Sequence, residues 1–385
     1  VAHVWETNPV YIAGVAETAL GEVHDQTELS MVALAAREAL AEAGMTIKDV
    51  DGLFVNYMGE EGTVQLGEYL GIWPRYADSS DLGGAAFEIF VHHAMLAIAT
   101  GRCEVALIAY ASRQRSRRER SHGGDVDTYS LSGQFNDPYA MPATIGPYAL
   151  AAARHMHQYG TTSEQLAEIA VAARKWAQLN PKAWKRDPLT IEDVLNSRMI
   201  SSPLHRDDCC LVTDGGGAVV VTTAARARDA AKRAIRVIGA GEGQLDIRMT
   251  QRPDLTMTPA AISGPQAFAM AGITPADVDV LQPYDSFTIT VLTALEDLGF
   301  CKKGEGGAFV EGGRLAPGGG LPAMTSGGGL SYCHPGALGI LLLIEAVRQL
   351  RGEAGDRQVP DAKIGVAHGS GGLLSTAGTV VMARE

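Results

Sequence analysis

Segments with apolar residues at helical spacing alternate along this chain with short runs of Val, Leu, Ile and Phe bounded by glycine, the pattern of helices and strands taking turns. One phrase occurs twice. Residues 43–55 read Ala-Gly-Met-Thr-Ile-Lys-Asp-Val-Asp-Gly-Leu-Phe-Val, and residues 271–283 read Ala-Gly-Ile-Thr-Pro-Ala-Asp-Val-Asp-Val-Leu-Gln-Pro, an offset of 228. Each copy predicts a helix closed by glycine, a short helical turn with Thr46 or Thr274 as N-cap, and then a strand. Other pairs keep the repeat. A helix over 94–101 leads into a strand at 105–109, and a helix over 341–352 leads into one at 364–367. Each half closes on a Gly-rich turn and a Val strand, at 214–221 and 371–381. Duplicated halves of this kind predict an α/β protein with two similar mixed sheets packed through shared helices. We place the halves at 1–228 and 229–385, with a helical, polar excursion at about 113–198 in the first half only.

Composition narrows the function. With 385 residues, 46% hydrophobic and 20% charged, the chain can bury a large core. The 45 glycines fall partly in runs beside apolar segments, as expected where backbone must approach a ligand or another element closely. A net charge of -12 argues against a nucleic-acid or anionic-membrane binder, since neutralising phosphates needs a basic surface. The five cysteines, Cys103, Cys209, Cys210, Cys301 and Cys333, are odd in number and lack Cys-x-x-Cys spacing, so no disulfide framework and no metal site is expected. A reducing cytoplasm fits that usage. No apolar run approaches the ~20 residues of a membrane helix, and the first residues lack a signal pattern.

Two motifs carry the chemistry. The first is Gln282-Pro283-Tyr284-Asp285-Ser286-Phe287; the second, about 45 residues on, runs from Gly327-Gly328-Gly329-Leu330 to Ser331-Tyr332-Cys333-His334-Pro335-Gly336. They resemble the active-site motifs of the thiolase superfamily, where the first reads Asn-Glu-Ala-Phe, or His-Asp-Cys-Phe in the sterol-carrier-protein branch, and the second ends in Gly-His-Pro. The resemblance covers nearly the whole chain and is weakest over 113–198. It implies the thiolase fold: two duplicated halves in five αβαβα layers, with a loop domain at 113–198 covering the coenzyme A site.

The departures from that pattern are more telling than the matches. The family's nucleophilic cysteine sits at a buried helix start, which falls here near Gly84 or Ala85. No Cys, Ser or Thr lies between Asp81 and Thr100. Neither Gly nor Ala can form an acyl-enzyme, so ordinary thiolysis is excluded. The Gly pair reads as a tight helix start for close packing, which also leaves room for a bulkier substrate. Tyr284 and Ser286 stand where the sterol-carrier branch has His and Cys. Tyr284 is expected in the catalytic cavity as a proton-transfer group, and Asp285 as the N-cap of a helix over 287–299.

By position in the family, His334 inherits an oxyanion-hole role, worth ~3 to 4 kcal/mol where charge develops. Its capping of the helix start before Pro335 is compatible with that role. Cys333 is a candidate nucleophile, against the commoner state of a small buried thiol. His368 lies where the family has a second cysteine or histidine; a core histidine bonded to backbone is the competing account. Gly328, Gly329, Gly371 and Gly372 are the expected backbone contacts to the coenzyme A ester. The basic run over 113–120 could meet phosphates or be a solvated face. His92-His93 lacks further metal ligands. Cys209-Cys210 reads as packing.

A cavity without the cysteines can still stabilise a thioester enolate but cannot hold an acyl group. Retro-aldol cleavage of a 3-hydroxyacyl-CoA needs only the former. The pattern is similar to thiolase-like aldolases that shorten steroid side chains, which implies proton transfer by Tyr284 and Tyr332. It also implies a homodimer joined in a heterotetramer by a small zinc-ribbon/OB-fold partner, and no permanent cofactor beyond the coenzyme A of the substrate. Two alternatives stand beside this: an acyltransferase using a non-standard nucleophile such as Cys333, and a catalytically silent binding subunit.

Overall fold

The computed structural model describes residues 4–56, 61–118, 129–139, 144–246 and 252–385. Among them are eleven strands: β1 (Val10–Glu17), β2 (Gly52–Val55), β3 (Tyr76–Asp78), β4 (Val105–Ser112), β5 (Met199–Ser201), β6 (Leu204–His205), β7 (Gly215–Thr223), β8 (Ile235–Gln244), β9 (Val280–Pro283), β10 (Ile364–Gly371) and β11 (Thr376–Ala383). Nine of them form one mixed sheet in the order β3-β2-β4-β7-β1-β8-β11-β10-β9, while β5 and β6 pair separately. The order reads symmetrically outward from the β1–β8 joint, which consists of only three antiparallel residue pairs, Val10 to Ile12 against Val237 to Ile235. β2 runs parallel to β4, and β9 runs parallel to β10. The proposed division at 228/229 falls between β7 and β8.

The repeated phrase folds the same way twice. Helices Glu28–Glu42 and Ala260–Ala271 are each followed by a glycine in the left-handed region, Gly44 at φ 67° and Gly272 at φ 68°. Short turns of helix then follow, capped reciprocally: Thr46 donates its N–H to Asp49 at 2.9 Å, and Thr274 to Asp277 at 2.8 Å. β2 and β9 come next.

Between the two sets of strands lie helices Ala86–Ala99 and Gly339–Arg351, which touch each other and the strands of both halves. Both are buried almost all round, as a central layer requires. Helix Glu28–Glu42 covers β1, β4 and β7 from outside, and Ala260–Ala271 covers β8 and β11, giving the expected five layers. The excursion supplies helices Ile145–Tyr159, Ser163–Gln178 and Ile191–Asn196, and the second packs on the turn Gly328–Tyr332. No helix among the described residues is long and apolar enough to cross a membrane.

Candidate active site

Alternation along β10 sorts its residues between two faces. Gly369 and Gly371 face the helix start Gly83–Ala85 and helix Ala86–Ala99; a Cβ at Gly371 would fall 2.0 Å from the Leu82 carbonyl oxygen. Only glycine permits that approach. His368 and Ser370 take the other face. Parallel pairing of β9 with β10 then places Tyr284, just past β9, beside this strand end, where its N–H donates to the His368 carbonyl at 2.8 Å.

Here a cavity of about 510 Å³ opens, lined by Tyr284, His334, Ser286, Cys210 and the backbone of Gly83 and Gly84 among others. The Tyr284 hydroxyl lies 3.1 Å from His334 Nε2 and 3.5 Å from the Gly336 carbonyl, and it accepts the Leu338 N–H at 3.2 Å. With one side of the oxygen taken by Leu338, the nearer acceptor for its proton is His334 Nε2. We therefore assign His334 the tautomer with the proton on Nδ1. Burial raises the Tyr284 phenol well above its usual range, so it rests protonated.

Gly84 explains the missing nucleophile. A Cβ there would sit 2.4 Å from Tyr284 Cε2 and 2.5 Å from its oxygen. The tyrosine ring occupies the volume that a side chain at the helix start would fill, so the space left by the Gly pair goes to Tyr284 rather than to a bulkier substrate.

Asp285 ties the two motifs together. Its carboxylate accepts the N–H groups of Gly329 at 2.6 Å and Leu330 at 3.0 Å. It does not cap the helix that follows, Thr288–Asp297, whose N-cap is Phe287. Burial outweighs those two donors and raises Asp285 to about 7.

Of the expected site residues, the fold brings Tyr284, His334, Gly371 and Gly372 to the cavity and leaves four outside its lining. Gly328 and Gly329 cradle Asp285 instead of a ligand: a Cβ at Gly328 would fall 2.0 Å from Asp285 Oδ2. Tyr332 turns away, donating its hydroxyl to Glu17 Oε1 at 2.5 Å, beside Lys182 and Arg348. Burial would raise Glu17, but Arg348 and Lys182 overcome it and hold this carboxylate down to about 2. Tyr332 is thus buried outside the cavity lining. His368 is 2% exposed and bonds Thr379 Oγ1 through Nδ1 at 2.9 Å, where burial lowers it to about 4.

Cys333 is likewise unsuited to attack. Its thiol is 1% exposed, 3.1 Å from Thr213 Oγ1, and pushed up to about 12 by burial. In the basic run, Arg115 pairs with Glu22 and lies over Trp184, and Arg117 pairs with Glu28; Glu119 and Arg120 lie outside the described residues. His93 is held between Asp78 at 2.6 Å and Glu242 at 3.2 Å. Cys210, read from the sequence as packing, lies on the cavity wall, and Tyr110 and Tyr148, not singled out from the sequence, line it too. A bridge between Cys209 and Phe287 carries Cys210 to that wall, a long-range pairing that no local pattern announces.

Residues 241–384 match the family described as Thiolase C-terminal domain-like. The chain is 37% identical over 384 residues to the 17-hydroxy-3-oxo-4-pregnene-20-carboxyl-CoA lyase of Mycobacterium tuberculosis, covering 96% of each. It is 32% identical over 388 residues to an acetyl-CoA acetyltransferase of Methanothermobacter thermautotrophicus, covering 97% of this chain and 99% of that one. Among solved structures, an Ltp2-ChsH2(DUF35) aldolase superposes with a TM-score of 0.89 at 33% identity over 98% of both chains.

Proposed function

The chain belongs to the thiolase superfamily, and from that premise we propose that it is a carbon–carbon lyase cleaving 3-hydroxyacyl-CoA esters by a retro-aldol reaction. The observation that carries this reading is the Tyr284–His334 contact beside a helix start, Gly84, that has no side chain. Tyr284 takes the proton of the substrate 3-hydroxyl as its own proton passes to His334 Nε2. The pair left on oxygen by the broken O–H bond forms the new C3 carbonyl, and the Cα–Cβ pair moves to the thioester as an enolate. His334, now a cation at the cavity, supplies the enolate stabilisation for which its position was singled out. The proton returns through Tyr284 to Cα, so the cycle consumes none and asks for no resident cofactor.

The steroid ester named for the M. tuberculosis relative makes a steroid side chain the first substrate class to test. The DUF35 component in the solved aldolase supports a DUF35 partner for this chain; a zinc-ribbon/OB-fold module joined to a homodimer in a heterotetramer is what the family resemblance implies for it. Five free cysteines fit a cytoplasmic setting.

The test is to mix the protein, with and without a co-expressed DUF35 partner, with a panel of 3-hydroxyacyl-CoA esters and to detect released aldehyde or ketone by mass spectrometry. Release that disappears in Tyr284→Phe and persists in Tyr332→Phe supports the relay. Acyl transfer is the second reading, favoured by Cys210 on the cavity wall and by the acetyltransferase relative. Carbonyl-free turnover of acetyl-CoA that is lost in Cys210→Ala would establish it instead.

A further inference from the structure

The central layer carries a carboxyl with nothing to hold it. Glu88, in the first turn of helix Ala86–Ala99, is 0% exposed, and neither carboxyl oxygen has a hydrogen-bond partner among the described residues. Buried polar groups are almost always paired, so an orphan needs a reason. Glu345, the buried glutamate of the facing helix, shows the ordinary solution: Arg357 reaches it at 2.9 Å and Thr325 at 2.7 Å. Around Glu88 the chain instead removes side chains at three distant points. A Cβ at Gly369 would lie 2.1 Å from Glu88 Oε2, one at Gly339 2.3 Å from the same atom, and one at Gly378 2.7 Å from Glu88 Cβ. Gly369 and Gly378 are cross-strand partners, so they open a single window in the β10–β11 pair under this residue.

The housing adjoins the floor of the cavity. The missing Cβ of Gly339 would also lie 2.4 Å from the Gly84 carbonyl oxygen, and that of Gly369 2.9 Å from Ala85 Cα. On the other side of Gly84 lies the Tyr284 ring. We propose that Glu88 is a positioning residue of the site: its carboxyl, seated in the glycine window, supports the Gly84 and Ala85 backbone on which the Tyr284 ring rests.

Its charge state matters to that role. Among the described residues no charged side chain acts on Glu88, and burial raises it well above the usual carboxylate range. The groups packed against it are the backbones of Gly339, Gly369 and Gly378, and two of these, Gly339 and Gly369, also abut Gly84 and Ala85. Of the titratable side chains on those elements, Tyr284 lies across Gly84 and His368 on the opposite face of β10. Glu345 and Arg348 pair elsewhere, and His92, one turn along, is shifted by burial, Glu242 and His93 rather than by Glu88. A neutral acid fills the housing while leaving the positive end of the helix facing the cavity, where an enolate forms.

The proposal rests on the cavity being the active site, and its test separates the two ideas. Glu88→Ala should lower kcat about tenfold or more with KM nearly unchanged, and Glu88→Gln should restore kcat to within about threefold of wild type. Two readouts do not depend on turnover. Infrared difference spectra of wild type against Glu88→Gln should show the carbonyl band of a protonated carboxylic acid at neutral pH. Because the folded state keeps this proton longer than the unfolded chain, wild type should lose stability relative to Glu88→Gln as pH rises above about 4.5. A folded Glu88→Ala with wild-type kcat, a Glu88→Gln as impaired as Glu88→Ala, or absence of the carboxylic acid band would overturn the proposal. If wild type cleaves no ester but the band and the pH slope are present, the lyase reading falls and the neutral seat of Glu88 stands.

Discussion

Replacing Gly84 by alanine adds one methyl group at the point where the site departs from a cysteine-dependent enzyme. Gly84 lies outside the left-handed region, so its backbone accepts alanine and the cost comes from contact alone. The new Cβ would meet Tyr284 Cε2 at 2.4 Å, its oxygen at 2.5 Å and Cζ at 2.6 Å, against ~3.5 to 4.0 Å for carbon atoms at rest. The ring must retreat by roughly 1 Å. That displacement stretches the 3.1 Å contact with His334 to about 4 Å, beyond hydrogen-bonding reach. A misplacement of that size costs about 100-fold in kcat, or about 3 kcal/mol of barrier. Overpacking should also cost folding about 1 to 3 kcal/mol. Single-turnover carbonyl release, followed by mass spectrometry, reads the first quantity and thermal unfolding reads the second. Within Tyr284→Phe the added methyl should cost no further activity, because the proton it displaces is already gone. A folded Gly84→Ala enzyme with kcat within twofold of wild type would refute the argument that this ring needs the empty space at Gly84.

Two buried groups give opposite pH slopes. His368, lowered to about 4, binds fewer protons folded than unfolded, so its contribution rises between about pH 4 and 6.5 by roughly 3 kcal/mol. Asp285, raised to about 7, keeps its proton longer when folded, so its contribution falls between about pH 4 and 7 by roughly 4 kcal/mol. Denaturant titrations across that range should therefore show Asp285→Asn gaining stability relative to wild type as pH rises, and a flat difference would contradict the burial argument. Tyr332→Phe should cost about 1 kcal/mol of stability by removing its bond to Glu17, yet leave turnover within about threefold. Cys333→Ala should likewise spare turnover, since the thiol lies outside the cavity lining; a loss beyond about tenfold would return Cys333 to the chemistry.

What was legible in the sequence follows from how far each signal reaches. The duplicated phrase predicted both capped turns and the strands after them because Thr46 with Asp49, and Thr274 with Asp277, are complete within three residues. Tyr284 and His334 were legible as a pair only through resemblance, since nothing local joins residues 50 apart. That Tyr332 lies outside the cavity lining was not legible, because adjacency to His334 does not say which side of a tight turn a side chain leaves from. Asp285 was assigned to the nearest helix, whereas its donors lie 44 and 45 residues away. Glu88 gave no signal, because the glycines that house it are scattered over the second half of the chain.

The carboxylate of Asp285 fastens the strand end bearing Tyr284 to the turn bearing His334 through two backbone N–H groups. The excursion shares in that fastening: Gln114 donates from Nε2 to the His334 carbonyl at 2.9 Å and Arg174 from Nε to Ser331 Oγ at 2.9 Å, while Gln114, Thr144 and Tyr148 line the cavity. Heredity therefore cannot treat the two separately. A lineage that trades Gln114 or Arg174 to change what it consumes disturbs the seat of its own proton machinery in the same step.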